Sequence, residues 1–129
     1  MKQFLKPLII ILFLSPTFAL ACESPQVTVY DEVDCLQEGF ASVKQHGKYG
    51  FVNKVGKVMI PIQYDDAQHF SEGFAGVKQN GQYGFINKGD EMLIPAQYDR
   101  ILQGFKNGKA QVKRHGEQFY IDKEGKRLD

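Results

Sequence analysis

Apolar and polar positions alternate along most of this chain, and the alternation restarts at regular intervals. In residues 74–79, Ala75 and Val77 share one face while Gly76 and Lys78 share the other, as a period of two requires of a half-buried strand. Asn80-Gly81 follows, a pair suited to a tight hairpin, and residues 83–87 (Tyr-Gly-Phe-Ile-Asn) read as a second strand. A third strand is expected over 92–98, where Pro95 cannot donate to a ladder and so places the strand at an edge. The same course precedes it from Phe40 and follows it from Asn107, with His46-Gly47 and His115-Gly116 at the hairpin tips. Residues 53–57 (Asn-Lys-Val-Gly-Lys) have the form of a type I turn with a Gly bulge.

The repeat is measurable. Tyr30-Asp31, Tyr64-Asp65 and Tyr98-Asp99 are spaced by 34 residues, whereas Phe70 to Phe105 and Val77 to Val112 are spaced by 35, so one residue enters just after Asp99. A 34-residue period also suits helix-pair repeats, but several glycines per copy, a Pro in each of the first two (Pro61 and Pro95) and period-two patterning exclude them. Each copy is therefore expected to be a three-stranded antiparallel meander joined to the next by a turn or short helical connector, as at residues 65–71. One such unit has too little core to stand alone and must bury its apolar face on its neighbours. With an additional strand at residues 27–30, standing in for the end of a missing preceding copy, nine strands are predicted. The fold class is all-β, an open curved sheet or short solenoid. Its segments are residues 1–21, a leader with capping strand at 22–29, copies at 30–63 and 64–97, and a degenerate capping copy at 98–129.

Tyr49-Gly50-Phe51 and Tyr83-Gly84-Phe85 look like the packing centres: two aromatics on one face, and a bare Gly that admits a close neighbour on the other. The third copy has Gln118-Phe119-Tyr120 there, as terminal repeats are often atypical. These residues resemble the bacterial WG (KWG) repeat family. The resemblance rests on Glu-Gly-x-Ala-x-Val, aromatic-Gly-Phe, Asn, Ile60-Pro61 or Ile94-Pro95, and Tyr64-Asp65 or Tyr98-Asp99, across about residues 30–129. Tyr replaces the name-giving Trp. The resemblance implies a repeat scaffold for interaction and carries no catalytic residue.

Composition adds an export signal and removes several partners. Lys2 and Lys6, an apolar run at 8–14, Pro16 and Ala19-Leu20-Ala21 have the layout of a secretory signal peptide, with an apolar run too short to span a bilayer. The 16 basic residues less Lys2 and Lys6 leave 14 against 15 acidic ones, so the remainder carries a formal charge of −1 and lacks the field that nucleic acid or an anionic membrane attracts. Cys22 would begin the mature chain. It either forms a disulfide with Cys35 or, as in a bacterial lipobox, carries a lipid, and the two outcomes exclude each other.

Candidate chemistry is sparse. His46, His115 and His69 read as solvated turn or connector residues without ligand partners at metal spacing, and Cys35 has no base partner. Asp31, Asp65 and Asp99 read as turn caps rather than a calcium site. Lys44, Lys78 and Lys113 recur at one position and Lys54, Lys88 and Lys123 at another, so stacking would align each set into a row. The first set is a candidate binding face. Phe40, Phe74, Tyr30, Tyr64 and Tyr98 recur as well, and interlayer packing accounts for them more simply than a glycan-binding surface. The sequence predicts no cofactor, no metal site and no enzyme. It predicts an exported binding module, in the periplasm or envelope or secreted, for a protein or a cell-envelope polymer such as peptidoglycan. A membrane enters only through a lipid on Cys22.

Overall fold

The computed structural model describes residues 21–128, so residues 1–20 of the expected signal peptide lie outside the described residues. Twelve strands form three separate four-stranded antiparallel sheets. The first contains β1 (Glu32–Val33), β2 (Ala41–Gln45), β3 (Lys48–Val52) and β4 (Val58–Tyr64), in that order. The second repeats it with β5 (Asp66–Ala67), β6 (Ala75–Gln79), β7 (Gln82–Ile86) and β8 (Met92–Tyr98). The third holds β9 (Arg100–Lys106), β10 (Lys109–Arg114), β11 (Glu117–Asp122) and β12 (Arg127–Leu128).

The all-β architecture of open repeat sheets is as expected, with two corrections. No connector is helical among the described residues: each pairs back onto its own copy as an edge strand, and these three with β12, less the strand expected at residues 27–30, turn nine strands into twelve. Residues 27–30 form no strand, and the first paired residues are Glu32↔Lys44 and Val33↔Val43. The copies do not share one continuous sheet; they are discrete, open sheets held together by their faces. The physical reason is connector length. In copies one and two the chain pairs for only two residues and then closes a tight turn through the Gln37↔Phe40 and Ser71↔Phe74 bridges. The extra residue of copy three is absorbed by register shifts along β9, which pairs with β10 from Arg100 to Lys106.

Packing follows from the alternation. The middle sheet is buried on both faces. Phe85, Ile94 and Tyr98 meet Ile101, Phe105, Ala110, Val112, Phe119 and Ile121 of the third sheet. Ala75, Val77 and Ile86 meet Phe51, Ile60 and Tyr64 of the first. The remaining apolar face of the first sheet, Ala41, Val43 and Val52, is packed against by Tyr30 and Leu36, which flank β1 in the first copy. Leu36 N–H donates to the Glu23 carbonyl (2.7 Å) and Gln26 N–H to the Lys54 carbonyl (2.9 Å), and a Cys22–Cys35 disulfide ties the leader to the first connector. The structure thus takes the disulfide alternative.

On the third sheet, the positions alternating with buried Ala110, Val112, Phe119 and Ile121 are Gln111, Lys113, Gln118 and Tyr120, a polar face that needs no further layer.

Candidate functional site along the repeat connectors

Each connector ends in a two-residue turn whose residues both have positive φ: Glu38 (54°) and Gly39 (85°), Glu72 (53°) and Gly73 (84°), Asn107 (55°) and Gly108 (83°). Successive N–H groups in such a turn form a small anion-binding concavity. The preceding copy fills it. The Glu38 carboxylate accepts hydrogen bonds from Glu72 N–H (2.6 Å) and Gly73 N–H (2.9 Å), and the Glu72 carboxylate accepts from Asn107 N–H (2.5 Å) and Gly108 N–H (2.9 Å). A lysine completes each step. Lys88 Nζ donates to the Glu38 carbonyl at 2.5 Å, and Lys123 Nζ to the Glu72 carbonyl at 2.9 Å while lying 3.5 Å from its carboxylate. The Gly108 N–H, foremost, holds the Glu72 carboxyl below the usual carboxylate range. Asn107 stands where a third glutamate would be, so the ladder stops at the third copy.

Beneath the ladder runs a repeated aromatic wedge. Phe70 lies between Phe40 (5.3 Å between ring centroids) and Phe51 (4.8 Å), and Phe105 lies between Phe74 and Phe85 (both 4.9 Å). The lysines of the ladder sit over these rings, Lys88 5.3 Å from the Phe40 centroid and Lys123 5.6 Å from that of Phe74. Tyr64 and Tyr98 are buried, at 4% and 1% exposure, so they form no open aromatic face. Tyr64 Oη donates to Asp90 (2.5 Å), and Tyr83 Oη donates to Asp66. Burial first, then Asp66, pushes the Tyr83 phenol up to about 12. Burial and Asp90 raise that of Tyr64 further.

The other candidate residues are also partnered. Lys44 is 3.7 Å from Glu32 and rests over the Tyr49 ring (5.5 Å), and Lys78 rests over the Tyr83 ring (5.7 Å). Lys113 stands opposite Gln118, which replaces that tyrosine. Lys44 and Lys78 are thus engaged within their own copies. Asp31 and Asp99 accept from the hairpin amides of His46 (3.1 Å) and His115 (2.8 Å), as turn caps do. Asp65 departs from that pattern. Its carboxylate takes Lys48 Nζ (2.5 Å) of the preceding copy, and that bond lowers its pKa.

One open cleft, of about 500 Å³, lies along the connectors. Asp34 comes from the first connector, Gln68, His69 and Ser71 from the second, and Leu102 to Lys106 from the third. Ser71 Oγ donates to the Phe105 carbonyl (2.5 Å) and Gln68 Nε2 to the Ile101 carbonyl (3.3 Å), which fixes the second and third connectors together under it.

The family model of the WG containing repeat matches residues 28–49, 49–83 and 83–117. The chain belongs to the WG repeat family. No curated protein and no solved structure matches it. The WG unit 49–83 begins in β3 and ends in β7, and the unit 83–117 begins in β7 and ends in β11, so each of these two spans parts of two neighbouring sheets, whereas 28–49 lies within the first. Covalent continuity therefore crosses every sheet interface. Reasoning from the sequence placed the WG aromatics but missed the turn glutamates. Their signal was present in the WG repeats as Glu38 and Glu72 followed by Asn107 before an unchanging Gly.

Proposed function

We propose that this WG repeat protein is an exported, non-catalytic binding module whose partner, a protein or a cell-envelope polymer, lies along the connector cleft. The observation that carries this reading is the composition of the cleft: all three copies contribute to one continuous surface, the arrangement by which stacked repeats recognise extended partners. The commitment of the acidic groups supports it. Glu38 and Glu72 bind turns, Asp31 and Asp99 cap hairpins, and Asp66 and Asp90 bind tyrosines, all in the service of repeat geometry. The Cys22–Cys35 bond supports passage to an oxidising compartment, the periplasm, envelope or exterior.

The test is site-specific photocrosslinking in intact cells. A photoreactive residue at Gln103, in the cleft, should yield a discrete adduct, whereas one at Val55, exposed in the β3–β4 turn, should not. Retention of the purified protein on peptidoglycan would identify a polymer as the partner. Equal labelling from both positions, or none from Gln103 with no polymer retention, would overturn the reading.

A further inference from the structure

The first turn of the ladder has the same backbone as the other two and lacks their ligand. Glu38 N–H and Gly39 N–H have no acceptor among the described residues, and both residues are exposed. Their φ values, 54° and 85°, lie within a few degrees of those of the two turns that grip a carboxylate. The lysine equivalent to Lys88 and Lys123 is also present. Lys54 lies 3.2 Å from Glu23 of the leader, and both side chains remain mostly solvated (68% and 61% exposed). Glu23 thus engages the lysine of this step and leaves its two amides unfilled.

We propose that the Glu38–Gly39 turn, with Lys54 at the repeat position of Lys88 and Lys123, is a docking site for a glutamate side chain of an acidic peptide segment in a partner protein. Two adjacent N–H groups match the two oxygens of a carboxylate one to one, as they do twice within this molecule. A negative charge on the turn itself is no obstacle: the Glu72 turn is equally acidic and holds Glu38. A second copy of this chain stacked in the same sense is a poor donor, because its third turn offers the neutral Asn107. The leader, tied by Cys22–Cys35 to the first connector and bonded through Gln26 N–H to the Lys54 carbonyl, leaves the turn approachable by a peptide rather than by a whole stacked repeat. The site is independent of the connector cleft, and either reading can fail without the other.

The experiment is an amide chemical-shift titration of the 15N-labelled protein with a blocked Gly-rich peptide carrying one Glu, and with its Gln counterpart. The Glu peptide should move the Glu38 and Gly39 amide protons downfield and saturably, leaving those of Glu72, Gly73, Asn107 and Gly108 unmoved because they are occupied. In Glu38→Ala the emptied second turn should join the response, with the Glu72 and Gly73 amides shifting as well. Unmoved Glu38 and Gly39 amides in the wild-type protein, or equal shifts with the Gln peptide, would overturn the proposal without need of the variant.

Discussion

Gly50 and Gly84 lie against the strand that follows them. A Cβ on Gly84 would sit 2.5 Å from the Ile94 carbonyl oxygen and 2.7 Å from the Ala96 nitrogen, and one on Gly50 would sit 2.6 Å from the Ile60 oxygen. Both sites coincide with the register shifts that bend β4 and β8 over their neighbours. Because backbone cannot move aside as a side chain can, Gly84→Ala should lower unfolding free energy by about 1–3 kcal/mol, read from a urea midpoint. An unchanged midpoint would show that the approach is loose. Phe119 holds the corresponding place in copy three, where β12 pairs only with Tyr120 and Ile121. At the same scale, Tyr83 should ionise near 12 in an ultraviolet titration, against an ordinary 10.0. The folded state holds that proton more tightly than the unfolded chain does. The associated stability is therefore complete below pH 10.0 and is lost as pH rises toward 12. Tyr83→Phe should flatten that alkaline decline.

Between elements, one ring and one carboxylate per copy bind each sheet to the next. Phe105 is buried between Phe74 and Phe85, so Phe105→Ala should cost about 3–5 kcal/mol through lost burial and the cavity left behind. The Glu72 carboxylate makes a different kind of joint. Its pKa is lowered in the folded state, so its contribution is present above the ordinary carboxylate pKa and lost as pH falls through the folded one. Hydrogen exchange at Asn107 and Gly108 should accelerate in Glu72→Ala at neutral pH, and acid should bring the wild type toward the same rates. Protection that survives the substitution would remove the ladder as a cause of docking.

For the whole molecule, the two ends of the stack are treated differently. The third sheet turns a polar face outward, whereas the first keeps an apolar face under Tyr30 and Leu36, in the segment that Cys22–Cys35 fastens to the leader. Replacing both cysteines by serine should destabilise the protein by about 3 kcal/mol, as expected for a loop of this length, and expose Ala41, Val43 and Val52 to a hydrophobic dye. Intact mass should rise by two hydrogens on reduction. A mass insensitive to reductant would remove the staple.

The sequence by itself determined the strand periodicity, the three copies, the hairpin tips and the aromatic-Gly-aromatic centres, because each depends on neighbours a few residues away. The inserted residue after Asp99 was legible too, but not its effect: a connector read as turn or helix became β9 because pairing with β10 outweighed local preference. Only the tertiary structure decided that the copies form separate sheets, that Cys22 joins Cys35, and that Glu38 and Glu72 reach across to the next turn. The cysteines meet across 13 positions because the leader folds back on the first copy, and the ladder joins residues 34 and 35 positions apart, which stacking alone brings together.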